Sequence, residues 1–226
     1  MTPDNNTRSA LIRKIFIYSG VLMGVCVASA AGISTLYVVN RDRIRENKMK
    51  SFRQSLAVVL GEAQNARPLL EGQKEGEADI YVASLDDRAR YVVRGAARGY
   101  QSRVIVLAAV DAPPEQPVPE DPQIYRVAVV SSGETPGLGE NINKVQKDVS
   151  LWAAMIGRKG KGGPRRPWFQ NQFSRKRLSD LQVDPTGEAG ITPITGATIT
   201  SRATTEAVRR AVQKLITQTR NLYAQN

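Results

Sequence analysis

The pattern of apolar and polar positions begins with one long uncharged run. Residues 15–39 contain no charged residue, and a run of about 25 residues is long enough to span a bilayer. Tyr18 and Tyr37 lie near its ends, where aromatic rings favour the membrane interface. We therefore predict a short polar segment over residues 1–14 and a retained transmembrane helix over residues 15–39.

A cleaved signal peptide is the alternative interpretation of this run. Ala28, Ser29 and Ala30 offer small residues of the kind found at cleavage sites, after a basic start. The apolar run continues beyond them to Val39, which favours a retained span. Lys and Arg are more numerous after the span than before it, so the charge count alone favours a cytoplasmic C-terminal side.

Helical periodicity continues after the span. Phe52, Leu56, Val59 and Leu60 fall on one stripe, which predicts a connecting helix over residues 40–72. The remainder, residues 73–226, is predicted to form one globular domain. The basic side chains of the connecting helix contact either solvent or lipid, and the pattern does not distinguish the two.

Short strand-like runs dominate the first half of that domain. They occupy residues 80–83, 90–93, 102–110 and 124–130. Gly95 and Gly99 suggest breaks between the second and third runs. Residues 111–122 are rich in proline and acidic side chains, which predicts an exposed loop between strands.

The second half of the domain is predicted to consist of loops and helices. A Gly- and Pro-containing turn over residues 132–140 precedes a helical pattern over residues 141–150, and residues 157–167 read as a basic, Gly-rich loop. An aromatic cluster over residues 168–173 is more typical of a core than of a wall for a flat ligand. Residues 201–223 form an amphipathic helix, with Thr200 or Ser201 as the predicted N-cap.

Composition narrows the chemistry. The formal net charge is +11, but no zinc-finger spacing or RNA-binding aromatic motif accompanies it, so the charge favours a membrane surface or an acidic partner over nucleic acid. The single cysteine, Cys26, excludes an internal disulfide. Histidine is absent, which removes the commonest general base and metal ligand. Any redox chemistry must therefore come from a bound cofactor.

Hydroxyl residues crowd the segment that enters the last helix. Thr195, Thr198, Thr200 and Ser201 surround the pair Gly196-Ala197. A helix N-terminus presents unpaired N–H groups and a positive dipole end, which favour a phosphate. An ordinary N-cap explains the same residues, and the local pattern leaves both interpretations open.

Four features occur in a characteristic order: the membrane helix, the turn Glu134-Thr-Pro-Gly-Leu-Gly139, the Trp168-Phe169 segment, and Thr195-Gly-Ala-Thr198 before the last helix. In this order they resemble the G subunit of the Rnf electron transport complex over nearly the full length. The sister family is the C subunit of the sodium-translocating NADH:quinone reductase, which shares the same FMN-binding domain.

The resemblance implies a fold and a site. The fold is α+β: a single N-terminal transmembrane helix, then one FMN-binding domain with an antiparallel sheet flanked by helices. FMN is joined by a phosphoester to Thr198, and no catalytic acid–base residue or metal ligand is implied. The family's motif usually has an acidic residue where this chain has Thr192. The residues implied to bind the cofactor are Glu134, Thr135, Pro136, Gly137, Leu138, Gly139, Trp168, Thr195, Gly196, Ala197, Ile199, Thr200 and Ser201.

The resemblance also implies a role and a location. The protein is expected to be an electron-carrying subunit of an ion-translocating oxidoreductase complex that exchanges electrons between ferredoxin and NAD⁺ and moves Na⁺ or H⁺. Its expected partners are the integral and Fe–S subunits, a flavin transferase that uses FAD, and the lipid bilayer, with no nucleic acid. The expected location is the cell inner membrane, with the globular domain on the periplasmic side. The alternatives are the quinone-reductase C subunit and a membrane-tethered assembly module without redox function.

Overall fold

The computed structural model contains two compact units, Met1–Lys50 and Ser51–Asn226. The structure describes residues 5–70, 76–114, 116–134, 137–143, 167–186 and 190–224. The first unit is formed by the N-terminal part of one long helix, α1 (Asn5–Leu60). The segment Arg13–Leu60 is long and apolar enough to cross a membrane. The 18-residue stretch that meets this criterion contains no buried residue. An apolar helix of a soluble core would be buried, so this exposure supports a membrane anchor.

The second unit is built on an antiparallel sheet of five strands, each hydrogen-bonded to its neighbours in sequence. The strands are β1 (Gln64–Pro68), β2 (Ile80–Leu85), β3 (Arg88–Arg98), β4 (Arg103–Ala112) and β5 (Ile124–Ser131). A two-residue loop joins β2 to β3, and a short loop joins β3 to β4, as antiparallel pairing allows. The predicted α+β fold with an antiparallel sheet is confirmed.

Helical elements follow the sheet. They are the 3₁₀ helix η1 (Gly139–Asn143), the short helix α2 (Trp168–Asn171), the 3₁₀ helix η2 (Leu178–Asp180) and the long helix α3 (Thr198–Ala224). Helix α2 contacts β5 and η1, whereas α3 lies across β3 and β4. Of the helix predicted over residues 141–150, residues 141–143 belong to η1, and residues 144–150 lie outside the described residues. The predicted basic loop also lies outside them, except for residue 167.

Both faces of the sheet are covered within the second unit. Alternate residues of β3 point to opposite faces: Val93 and Gly95 face α3, and Arg94 points to the other face. There its guanidinium lies 5.3 Å from the centre of the Phe52 ring, in the last turns of α1. Phe52 and Val59 are buried. Because both faces are covered, β4 is apolar along most of its length instead of alternating.

The predicted break at Gly95 is wrong, because β3 continues through it to Arg98. A Cβ at position 95 would overlap the carbonyl oxygen of Ala207 and lie 2.7 Å from the side chain of Ala211. The glycine therefore allows α3 to approach the sheet closely, which is a common reason for glycine inside a strand.

The helix predicted after the membrane span ends earlier than expected. Helix α1 stops at Leu60, and Gly61 adopts a left-handed conformation with φ of 60°, as is common just past a helix C-terminus. Strand β1 follows within the segment 40–72. Its sequence has no apolar alternation, so its strand conformation depends on pairing with β2.

Candidate functional site

Helix α3 begins at Thr198, so the prediction that Thr200 or Ser201 is the N-cap is wrong. The N–H of Ser201 makes the first helical hydrogen bond, to the carbonyl of Ala197 at 2.9 Å. The amides of Thr198, Ile199 and Thr200 therefore have no partner inside the helix. They form the positive end of a long helix, where an anionic group is stabilised.

Ser201 holds the preceding loop in place. Its hydroxyl accepts a hydrogen bond from the N–H of Ile194 and donates one to the carbonyl of Ala197, both at 3.0 Å. Between these residues Gly196 has φ of 77°, a conformation that a side chain disfavours. Ser201 is fully buried, so its role is to shape the loop.

Thr198 and Ile199 are exposed at the start of the helix, whereas Thr200 is buried. Within the described ranges, the Thr198 hydroxyl makes no hydrogen bond. It is therefore the accessible, unengaged hydroxyl of the first helical turn.

Glu134 is the polar centre of the site. Its side chain is buried, with 5% exposure. Its carboxylate accepts hydrogen bonds from the hydroxyl of Thr200 at 2.7 Å and from the backbone N–H groups of Tyr100, Gln101 and Ser102 at 3.1–3.3 Å. The carboxylate thus connects the turn between β3 and β4 to the first turn of α3.

These contacts keep Glu134 ionised. Burial raises the pKa of its carboxyl, but the hydrogen bond from Thr200 and those from the three backbone amides outweigh burial. The pKa is lowered from its ordinary value of 4.5. A buried negative charge therefore lies beside the positive end of α3 at neutral pH.

A cleft of about 440 Å³ opens at this point, within the range of small-molecule sites, roughly 300–1,000 Å³. Large apolar side chains line it although they are exposed: Tyr100 is 69% exposed, Leu138 47% and Ile199 55%. The full lining is Tyr100, Glu134, Leu138, Gly139, Gly196, Ala197, Thr198, Ile199 and Thr200.

The structure brings eight of the predicted residues to this cleft and adds Tyr100. Tyr100 was not predicted from the sequence, because a single aromatic residue in a turn carries no recognisable signal. Its one clue is that it lies between Gly99 and the polar pair Gln101-Ser102.

Other predicted residues do not line the cleft or are not described. Thr195, Gly137 and Ser201 are not among the described residues that line the cleft. Neither is Trp168, whose ring meets Phe169 edge-to-face at 6.0 Å and packs against the hydrophobic core. Thr135 and Pro136 lie outside the described residues.

Two larger cavities, of about 570 and 650 Å³, lie on other parts of the domain. One is lined by β1, β2 and the end of α3, the other by the start of β5 and the residues after α2. Neither contains a predicted site residue, so size alone does not select the functional cleft.

The second unit thus contains a candidate small-molecule site at the start of α3, and the chain also contains a candidate membrane helix. Residues 117–213 match the family model described as FMN-binding domain. This range contains Glu134, the whole loop before α3 and most of α3. The match therefore covers the candidate site, except for Tyr100, and most of the elements that build it.

Relatives extend the similarity to nearly the whole chain. The G subunit of the proton-translocating ferredoxin:NAD⁺ oxidoreductase complex of Clostridium ljungdahlii is 26% identical over 91% of this chain and 94% of its own length. The G subunit of the ion-translocating oxidoreductase complex of Aliivibrio fischeri is 26% identical over 85% of this chain and 86% of its own. These matches confirm the resemblance predicted from the sequence.

One solved structure is also similar. It is the C subunit of the Na⁺-translocating NADH-quinone reductase of Parabacteroides distasonis, at 21% identity and a TM-score of 0.38. The match covers 61% of this chain and 62% of that one.

Proposed function

We propose that this protein is the G subunit of an Rnf-type complex and that it carries FMN as a phosphoester on Thr198. In this role it relays electrons within a complex that couples transfer between ferredoxin and NAD⁺ to movement of Na⁺ or H⁺. The observation that carries the proposal is the exposed, unengaged Thr198 hydroxyl at the first position of α3, on the wall of the cleft. The full-length similarity to G subunits supports it.

The residues present fit this cofactor. The amides at the start of α3 that have no partner inside the helix suit a phosphate, and the positive φ of Gly196, which glycine adopts readily, shapes the turn before Thr198. The apolar surfaces of Tyr100, Leu138 and Ile199 suit a planar ring system, since all three residues are exposed and line the cleft.

In this proposal the chain holds the cofactor, and the cofactor carries the electrons. The attachment forms a bond between the Thr198 oxygen and the phosphorus of the FMN moiety of FAD, breaks the pyrophosphate bond, and releases AMP and the hydroxyl proton. A flavin transferase supplies this reaction. FMN supplies the electron chemistry when bound, and the chain holds it, orients it and keeps it from diffusing away. No acid–base side chain is required for electron passage, which suits a chain without histidine.

The location follows the same proposal. The exposed apolar part of α1 anchors the protein in the cell inner membrane, with the FMN-binding domain on the periplasmic side. The other partners are the integral and Fe–S subunits of the complex. Digestion of the domain by a protease restricted to the cytoplasmic face would contradict this orientation.

The test replaces each hydroxyl of the motif in turn. We expect Thr198→Val, produced with the transferase, to show no flavin fluorescence after denaturing electrophoresis, because the substitution removes the attachment oxygen and keeps the side-chain shape. Thr195→Val is the matched control, since Thr195 is also exposed in the same motif but does not line the cleft. It should retain the fluorescent band. A fluorescent Thr198→Val band would show that flavin is attached to another residue, whereas a wild-type chain without a fluorescent band would favour the alternative of a non-redox assembly module.

A further inference from the structure

We propose that Glu134 is a positioning residue: its carboxylate locks the β3–β4 turn to the first turn of α3 and thereby holds Tyr100 at the cleft beside Thr198. The inference deepens the proposed function and rests on it, since Tyr100 matters here only as a wall for the bound cofactor. The resemblance implied direct contact of Glu134 with that cofactor.

The hydrogen bonds of Glu134 leave no capacity for a ligand. Oε1 accepts from the backbone N–H groups of Gln101 and Ser102 and from the Ser102 hydroxyl, and Oε2 accepts from the Tyr100 N–H and the Thr200 hydroxyl. A carboxylate has about four lone-pair sites, and these five donors occupy them. The side chain therefore acts on the protein around it.

Only a carboxylate satisfies this arrangement. Backbone N–H groups can only donate, and each oxygen receives at least one of them, so both oxygens must be acceptors. Glutamine would turn one position into an NH₂ group that faces at least one of these N–H groups. Such a mismatch is costly in a buried site because the opposing donors lose their partner.

Two glycines make room for the carboxylate. A Cβ at Gly99 would overlap Oε1 of Glu134, and a Cβ at Gly139 would lie 2.7 Å from its Cβ and 2.8 Å from the hydroxyl oxygen of Thr200. All three of these separations are shorter than those that real Cβ atoms show. The turn, the segment around Gly139 and helix α3 therefore close around one side chain.

Tyr100 depends on this contact for its position. Its ring is 69% exposed, so packing contributes little to holding it, and the backbone of the turn must do so. That turn is closed by the hydrogen bond from Gly99 N–H to Ser102 O at 2.8 Å, and the next three amides all point to Glu134.

The experiment compares Glu134→Gln with Glu140→Gln in the full chain, produced with the flavin transferase. Glu140 is an exposed acid on η1 and does not line the cleft, so it is the matched control. Hydrogen exchange measured by mass spectrometry follows the amides of residues 100–102. We expect exchange at least about tenfold faster in Glu134→Gln, from the loss of a charge-assisted hydrogen bond, and no change in Glu140→Gln.

The visible circular dichroism of the bound flavin reports how the ring is held. We expect Glu134→Gln to lower this signal per bound flavin. In a Tyr100→Ala background the same substitution should cause no further change, because the effect acts through Tyr100. A purely structural role would lower the signal to the same extent in both backgrounds, and that result would overturn the proposal.

Further outcomes are also decisive. If Glu134→Gln does not fold, Thr200→Val removes one donor only and should give a smaller change in the same direction. Unchanged hydrogen exchange and dichroism in Thr200→Val would contradict the proposal.

If wild-type Thr198 carries no flavin, the proposed function fails. Faster exchange in Glu134→Gln would then still support the lock between the turn and α3, whereas unchanged exchange would refute it separately.

Discussion

Thr198, Thr200 and Ser201 lie within one helical turn but have different surroundings. Thr198 is exposed, Thr200 donates to Glu134 at 2.7 Å, and Ser201 is buried against the loop before the helix. The local pattern allowed each of them to cap the helix or to contact a phosphate, and the resemblance implied that all of them lie at the cofactor. The sequence could not separate them, because their roles depend on where α3 begins and on a carboxylate 66 positions away.

At the residue scale, Gly139 provides a test of how tightly the site is built. We expect Gly139→Ala to lower the free energy of unfolding by about 1–3 kcal/mol, a typical cost of overpacking, because its Cβ would lie 2.7 Å from Glu134 Cβ. Flavin content at Thr198 should fall as well, since the turn and α3 are forced apart. Urea unfolding in detergent and flavin absorbance per chain measure both effects.

Gly133→Ala is the control for that variant. The nearest atoms to its Cβ would be those of the Ser102 side chain at 3.3 Å, so we expect a change of no more than about 0.5 kcal/mol. Equal losses in the two variants would indicate a general effect of alanine at these turns, contrary to our account of Gly139.

At the scale of elements, two arginines join the end of α1 to the sheet. Arg90, buried in β3, pairs with Asp111 through two hydrogen bonds of 2.6 and 2.7 Å and donates to the carbonyl of Leu60 at 2.5 Å. Its guanidinium also lies over the ring of Tyr125 at 3.4 Å. Burial lowers the pKa of Arg90, but Asp111 outweighs it and the pKa is raised. Arg126 donates to the carbonyl of Val58 at 3.2 Å.

This cluster predicts a large cost for Arg90→Met. The substitution keeps an apolar stem but leaves Asp111, whose side chain is 20% exposed, without its ion-pair partner. We expect a loss of about 3 kcal/mol in the free energy of unfolding. Thermal unfolding followed by circular dichroism of the detergent-solubilised chain measures it.

Arg220→Met is the matched control on α3. Its pair with Glu120 is exposed, at 58% and 85%, so its removal should cost less than about 1 kcal/mol. If Arg90→Met costs no more than this control, the buried pair does not hold the end of α1 to the sheet.

Elements differ in how well the sequence predicts them. The apolar runs at residues 80–83 and 124–130 and the amphipathic last helix are fixed by local pattern, and all appear in the fold. Gly95 was misinterpreted because a glycine that admits a helix and a glycine that breaks a strand look alike. Strand β1 was missed because its conformation comes from its partner strand.

At the scale of the whole molecule, order along the chain was more informative than any local pattern. The motif before α3 was equally compatible with an ordinary N-cap, and only its combination with the membrane helix and the turn at residues 134–139 indicated the family. The contact between Glu134 and the Tyr100 turn was not predictable, because it joins segments more than 30 residues apart. The composition of residues 168–173 favoured a core, and Trp168 does pack against the core; its contact with the cofactor was implied only by the resemblance and stays a prediction.

The most direct test of the account is the mass of the tryptic peptide that contains Thr198. Cleavage after Arg177 and Arg202 releases residues 178–202, which also contain Thr195 and Thr200, so fragmentation must assign the modified residue. From cells that contain the transferase, we predict this peptide with the added mass of FMN less one water, carried by Thr198. An unmodified peptide, or FMN on a different residue, would contradict the central claim.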